Sequence, residues 1–191
     1  CTLEQSKQTL FQFYQQHKHT LSWYSSAYWT TKVGVDVLQL QYEHRNKIKA
    51  RSGCFELLEQ LKQKGYRCWL LTNADKAGLQ LKLENVALSP YFELMISSEE
   101  LGYAKEDVSF WRELQQLHPF DPTKAIFIDD TVAVLKGAES FGISKLFSIV
   151  QPSSSKAARN SNELPYPALD ELTDLFDCLE THLQVTDAKT A

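Results

Sequence analysis

The sequence predicts an α/β protein: a parallel sheet flanked by helices, with a small helical cap ahead of it. Three observations carry this reading. From about residue 53 to residue 150, short apolar runs alternate with amphipathic stretches of roughly 10 to 15 residues, the pattern of successive βαβ units. The residues before them show helical periodicity and no strand-like run. Three short polar motifs each fall just past an apolar run, or at the start of the next helix. In an open parallel sheet, that edge is where ligands bind.

Residues 1 to about 48 read as helices. In "TLEQSKQTLFQFYQQHKHTLSWYSSAYWTTKVG", Leu3, Leu10, Phe13, Tyr14, Leu21, Tyr24 and Tyr28 recur near three- and four-residue spacings. Gly34 suits a helix stop, and Asp36 suits the cap of the next helix, "VLQLQYEHRNKIK". "GCFELLEQLKQKG" follows as an amphipathic helix with Phe55, Leu58 and Leu61 on one face and Gly65 at its end. "YRCWLLT" is a buried strand and "KAGLQLKLENVAL" a helix. "FELMIS" is a second strand, and "KEDVSFWRELQQLH" a helix with Val108, Trp111 and Leu114 in register. "KAIFID" is a third strand, "TVAVLKGAESFG" a helix ending at Gly142, and "KLFSIV" a fourth strand. "QPSSSKAARNSNELPYP" is a polar loop too poor in apolar residues to build core. "ALDELTDLFDCLETHL" is a final amphipathic helix, and the last eight residues fray. The expected division is residues 1–50 for the cap, 51–150 for the α/β core, and 151–191 for a loop and helix that complete it.

Composition narrows the function. Hydrophobic residues make up 43% and charged residues 23% of the 191 positions, a globular balance for one domain with a small insertion. A net charge of -4 without a basic block argues against a general nucleic-acid binder. It leaves room for a local cationic site for one phosphate. No apolar run approaches the roughly 20 residues of a membrane span. The polar opening "CTLEQSKQTL" has no apolar core of a secretory signal. Four scattered cysteines without a CxxC pair point to reduced thiols in a cytoplasmic protein rather than structural zinc.

The motifs carry the chemistry. In "LLTNAD", the Thr72 hydroxyl and the Asn73 backbone N–H can hold a phosphate oxygen ahead of a helix. The competing reading is plain helix capping by Thr72, Asn73 or Asp75. In "GYAKED", Lys105 opens a helix, where a cation gains nothing from the helix dipole. An anion between them explains the placement; a solvated surface lysine is the alternative. In "FIDDT", Asp129 and Asp130 stand side by side after an apolar run. Their mutual repulsion vanishes if they share Mg²⁺, which favours one or two carboxylates, substrate phosphate and waters. The alternative is that Asp130 merely caps the following helix.

Thr72, Lys105 and Asp129–Asp130, in this order and at strand ends, resemble motifs II, III and IV of the haloacid dehalogenase-like (HAD) hydrolases, which share a Rossmann-like core. Response-regulator receiver domains use similar residues in the reverse order, acidic pair first and Lys last. Together "HTLSWYSSAYW", "LLTNA", "LKLE", "GYAKED", "FW" and "FIDDT" are similar to the bacterial GMP/IMP nucleotidase family, from about residue 17 to residue 185. The resemblance implies a Mg²⁺-dependent phosphomonoesterase acting on purine 5′-nucleotides through an aspartyl-phosphate. It implies that Asp129 and Asp130 hold the metal and that Thr72, Asn73 and Lys105 bind the phosphate, with Lys105 also catalytic. The partner is thus a small phosphate ester, with no nucleic acid or membrane.

The superfamily's motif I, a DxDGT-type sequence bearing the nucleophilic and acid/base aspartates, does not occur in these residues. With the helical opening and the first residue Cys1, this leads to the expectation of an N-terminally truncated chain whose central first strand is missing, inactive and poorly stable alone. Two alternatives stay open: a HAD phosphatase for another small phosphate ester, or a non-catalytic HAD-like binding module. Trp23, Tyr24, Tyr28 and Trp29 either stack on a purine or pack the cap's own core, the second being the expected role. His17 and His19 fit surface or core positions rather than a metal pair.

Overall fold

A computed structural model describes residues 2–153 and 156–179. It opens with four helices: α1 (Leu3–His17), α2 (Leu21–Tyr24), α3 (Ser26–Val33) and α4 (Val37–Glu43). Each start is written locally. Thr2 and Gln5 close a capping box on α1. Ser25 caps α3 and Asp36 caps α4. Gly34 ends α3 at φ 70, a left-handed conformation that glycine adopts without steric cost. None of the residues of α1 is buried, and Leu3 stays 73% exposed.

The strands then alternate with helices as expected. The order is α5 (Cys54–Gln63), β1 (Trp69–Thr72), α6 (Lys76–Asn85), β2 (Leu94–Ser97), α7 (Ser98–Leu101), α8 (Val108–Leu117), β3 (Ile126–Ile128), α9 (Val132–Phe141) and β4 (Lys145–Ile149). A fifth strand, β5 (Ala168–Leu169), closes the series. All ladders are parallel: Leu71 pairs with Ile96, Phe127 with Leu146, and Ile149 with Leu169. The strands form two sheets, β1-β2 and β3-β4-β5. Among the described residues no ladder joins β1 to β3, so each keeps one unpaired edge.

Period-two alternation distributes the core between two faces. Leu146 joins Phe110, Trp111, Leu114 and Leu135 in one cluster, against which Trp69, Leu71 and Phe127 also pack. Both sheets therefore share this core. Phe147 and Ile149 turn to the other face and meet Leu57, Leu169, Leu175 and Leu179. Leu114, Leu135 and Leu169 are fully buried, each contributing about 2 kcal/mol by area.

Four expectations need correction. The final helix does not begin at Ala168; Ala168 and Leu169 extend the sheet beside β4, because an unpaired β4 edge rewards a fifth strand more than an isolated helical turn does. The remainder of that expected helix beyond residue 179, with the fraying tail, lies outside the described residues. The loop before β5 does contribute core: Tyr166 is buried in the first cluster and donates to Glu139 at 2.7 Å. On α5 the buried pair is Leu57 and Leu58, while Phe55 is 40% exposed against Tyr91. Finally, Lys105 does not open a helix. Asp107 is the N-cap of α8, so Lys105 stands in the turn ahead of it.

Candidate active site

Lys105 is the centre of the site. Its Nζ donates to Asp129 Oδ2 at 2.6 Å and to the Leu71 carbonyl at 3.1 Å. The ammonium thus joins the C-terminal end of β3 to the unpaired edge of β1. Both charged side chains are about nine-tenths buried, at 8% and 10% exposure, where an unpaired charge would cost several kcal/mol. The backbone of Lys105 is equally committed. Its N–H donates to Asn73 Oδ1 at 2.9 Å, and its carbonyl accepts from Trp111 Nε1 at 2.8 Å. Gly137 makes room for this turn. A Cβ there would lie 2.6 Å from the Lys105 carbonyl oxygen and 2.8 Å from that of Glu106.

Thr72 ends β1, and its hydroxyl accepts from the Ala74 N–H at 3.1 Å. Helix capping falls to Asp75, which accepts from Gly78 N–H at 2.8 Å. Asn73 is buried, its side-chain oxygen on Lys105 and its amide nitrogen on Glu106 at 2.9 Å. The tight turn at the end of β1 is therefore held by side chains.

Asp129 accepts from Lys105 through Oδ2 and from the Thr131 N–H through Oδ1 at 2.8 Å. This is an Asx turn made by Asp129; the N-cap of α9 is Thr131, without a side-chain capping bond, so Asp130 does not cap the helix. Asp130 is exposed, and its backbone carbonyl accepts from Arg159 Nη1 at 2.7 Å. Among the described residues no group of three His, Cys, Asp or Glu is placed to hold a metal. Two adjacent carboxylates at a strand end still suit Mg²⁺, which takes one or two carboxylates and completes its shell with phosphate and water oxygens.

One residue next to this centre escaped the sequence reading. Glu106 has an 8% exposed side chain. It accepts from Tyr24 Oη, from Asn73 Nδ2, and lies 3.0 Å from His19 Nδ1. His19 reaches it from a left-handed backbone, φ 66, an uncommon conformation for a residue with a Cβ. Burial first, and then the Glu106 contact and charge, push the Tyr24 phenol well above the ordinary tyrosine range. Asp75 makes a parallel connection, accepting from the Ser26 backbone N–H at 2.6 Å and from the Ser26 hydroxyl. No local signal marks Glu106, whose partners His19, Tyr24 and Asn73 lie far along the chain.

Trp23, Tyr24, Tyr28 and Trp29, the aromatics considered for purine stacking, divide. Trp23, Trp29 and Tyr14 stack edge to face at 4.9 to 5.6 Å, a small core of their own. Tyr24 and Tyr28 instead line a cavity of about 210 Å³, together with Ser22, Asn73, Asp75 and Glu99. His17 packs on Tyr28, its Nε2 2.9 Å from the hydroxyl.

A buried Lys–Asp pair thus stands at the strand ends of a parallel α/β sheet, beside a Thr-Asn turn, and the chain belongs to a family of hydrolases. The family of haloacid dehalogenase-like hydrolases matches residues 8–142. Within it, the chain is 30% identical over 178 residues to the GMP/IMP nucleotidase YrfG of Escherichia coli, covering 93% of this chain and 79% of that protein. Solved structures agree on the fold. A HAD phosphatase from Thermococcus onnurineus superposes with a TM-score of 0.75 at 18% identity, covering 92% of this chain and 80% of that one. The HAD-hydrolase YfnB from Bacillus subtilis, crystallised with magnesium, gives 0.60 at 19% identity, covering 81% and 68%.

Proposed function

We propose that this protein is a Mg²⁺-dependent phosphomonoesterase for purine 5′-nucleotides, with GMP and IMP its preferred substrates. The observation that carries the reaction class is Lys105, whose ammonium lies between Asp129 and the end of β1 at Thr72 and Asn73. The relative named GMP/IMP nucleotidase supports the substrate. In this reading Thr72 and the Asn73 backbone N–H bind phosphoryl oxygens. Lys105 balances charge on the phosphoryl group as it transfers, an interaction that strengthens in the transition state. Asp129 and Asp130 hold Mg²⁺, which neutralises phosphate charge when bound. The opening helices, residues 1–50, act as a cap over residues 51–150, and the final segment completes the core.

Covalent hydrolysis in this family's manner needs a carboxylate nucleophile on a DxDGT-type segment, and the 191 residues contain no such sequence. The unpaired edges of β1 and β3 flank the place where such a strand would pair. In this reading Thr72, Asn73 and Lys105 supply the phosphate binding and charge balance of the reaction. Free thiols at Cys54, Cys68 and Cys178 suit a reducing, cytoplasmic setting.

Phosphate release from a panel of monoesters tests the reading on the full-length protein. GMP and IMP should be hydrolysed best, only with Mg²⁺, and Asp130→Ala should lower turnover about a hundredfold. Equal rates across all esters would remove the nucleotidase assignment; unchanged turnover in the variant would remove the metal role.

A further inference from the structure

The Glu106 carboxylate has no part in the phosphate chemistry above, yet it is buried, charged and fully engaged. Its two oxygens face different segments. Oε2 accepts from Asn73, in the turn after β1. Oε1 serves Tyr24 and His19, from the opening helices. Tyr24 and Asn73 are neighbouring side chains in the wall of the 210 Å³ cavity, and Glu106 bonds to both.

We propose that Glu106 is a positioning residue for leaving-group recognition: it fixes Tyr24 and Asn73 as walls of the cavity that receives the alcohol portion of the phosphate ester. The proposal rests on the phosphomonoesterase reading but not on the nucleotide preference. Three features support it. The cavity borders Asn73, whose backbone N–H is assigned to the phosphate, so the rest of the ester has room beside that turn. Tyr28 and Tyr24 bring aromatic rings, and Ser22, Asp75 and Glu99 bring polar atoms, to one small space. That mixture suits a ring carrying hydroxyl or N–H groups, as in a nucleoside. The strained backbone at His19 is spent on the Glu106 contact rather than on local packing. A carboxylate hub does more here than an apolar contact would, because charge-assisted hydrogen bonds fix direction as well as distance.

The test compares the best phosphomonoester in the panel with acetyl phosphate, whose leaving group is too small to span the cavity. The measured quantity is the ratio of their kcat/KM values. Glu106→Ala should lower that ratio about tenfold or more, chiefly through a higher KM for the larger ester. Glu106→Gln keeps an acceptor for Asn73 and should recover part of the loss. Tyr24→Phe keeps the ring and the fold and should shift the ratio in the same direction by a smaller factor. A common fall for both substrates would mark Glu106 as merely structural and overturn the proposal; so would a ratio unchanged in Tyr24→Phe. A wild-type protein that hydrolyses sugar phosphates better than nucleotides removes the nucleotidase reading alone, and the Glu106 ratio is then read on that ester.

Discussion

At the scale of single residues, the protonation of Tyr24 sets a limit on stability at high pH. An unfolded tyrosine ionises near its ordinary value of 10.0, whereas burial and Glu106 hold the folded phenol protonated beyond it. Below about pH 10 both states keep the proton, so the contribution is constant. Above it the folded chain binds more protons than the unfolded one, and stability falls as pH rises. Urea midpoints between about pH 9 and pH 11 should therefore drop more steeply in the wild type than in Tyr24→Phe. Parallel slopes would mean that Tyr24 does not reach Glu106 in solution. Lys105 follows a different logic. Its pairing with Asp129 answers the question raised by a cation near a helix start. The sequence placed an anion between Lys105 and a helix start; the structure pairs the ammonium with Asp129 instead, and the helix begins three residues later, at Val108.

At the scale of elements, α9 matters through a glycine. Replacing a mid-helix glycine with alanine ordinarily stabilises a helix by about 1 kcal/mol. At Gly137 the sign should reverse. The added methyl would press on two backbone carbonyls, of Lys105 and Glu106, and neither can swing aside as a side chain could. Gly137→Ala should lower the thermal midpoint and reduce phosphate release together, measured by calorimetry and by the same assay. A higher midpoint with full activity would show that the turn yields freely. The motifs at strand ends were legible because βαβ order and apolar runs are local in sequence: Thr72 and Asp129 fall where the pattern put them, whereas Lys105 stands in the turn ahead of α8. The failures share one cause. Phe55 against Leu57, the strand at Ala168 and the buried Tyr166 are decided by partners far along the chain. Glu106 was invisible for the same reason, since two of its three partners lie more than eighty residues away.

At the scale of the whole molecule, two sheets are held as one body by a shared core and a single ammonium. Trp69 and Leu71 of β1 and Phe127 of β3 pack into the same cluster, while the ladder between those strands is absent among the described residues. The opening helices are joined to this body at Asp75 and Glu106, two carboxylates that also belong to the turns of the sheet edge. Asp75 ends two helices at once, α6 through Gly78 and α3 through Ser26. Sharing of that kind has a thermodynamic signature. Melting of either helix breaks a bond to this carboxylate, so the opening helices and the sheet should lose structure in one cooperative transition, with calorimetric and van't Hoff enthalpies equal. Asp75→Ala should split that transition into two steps, the exposed helices melting first.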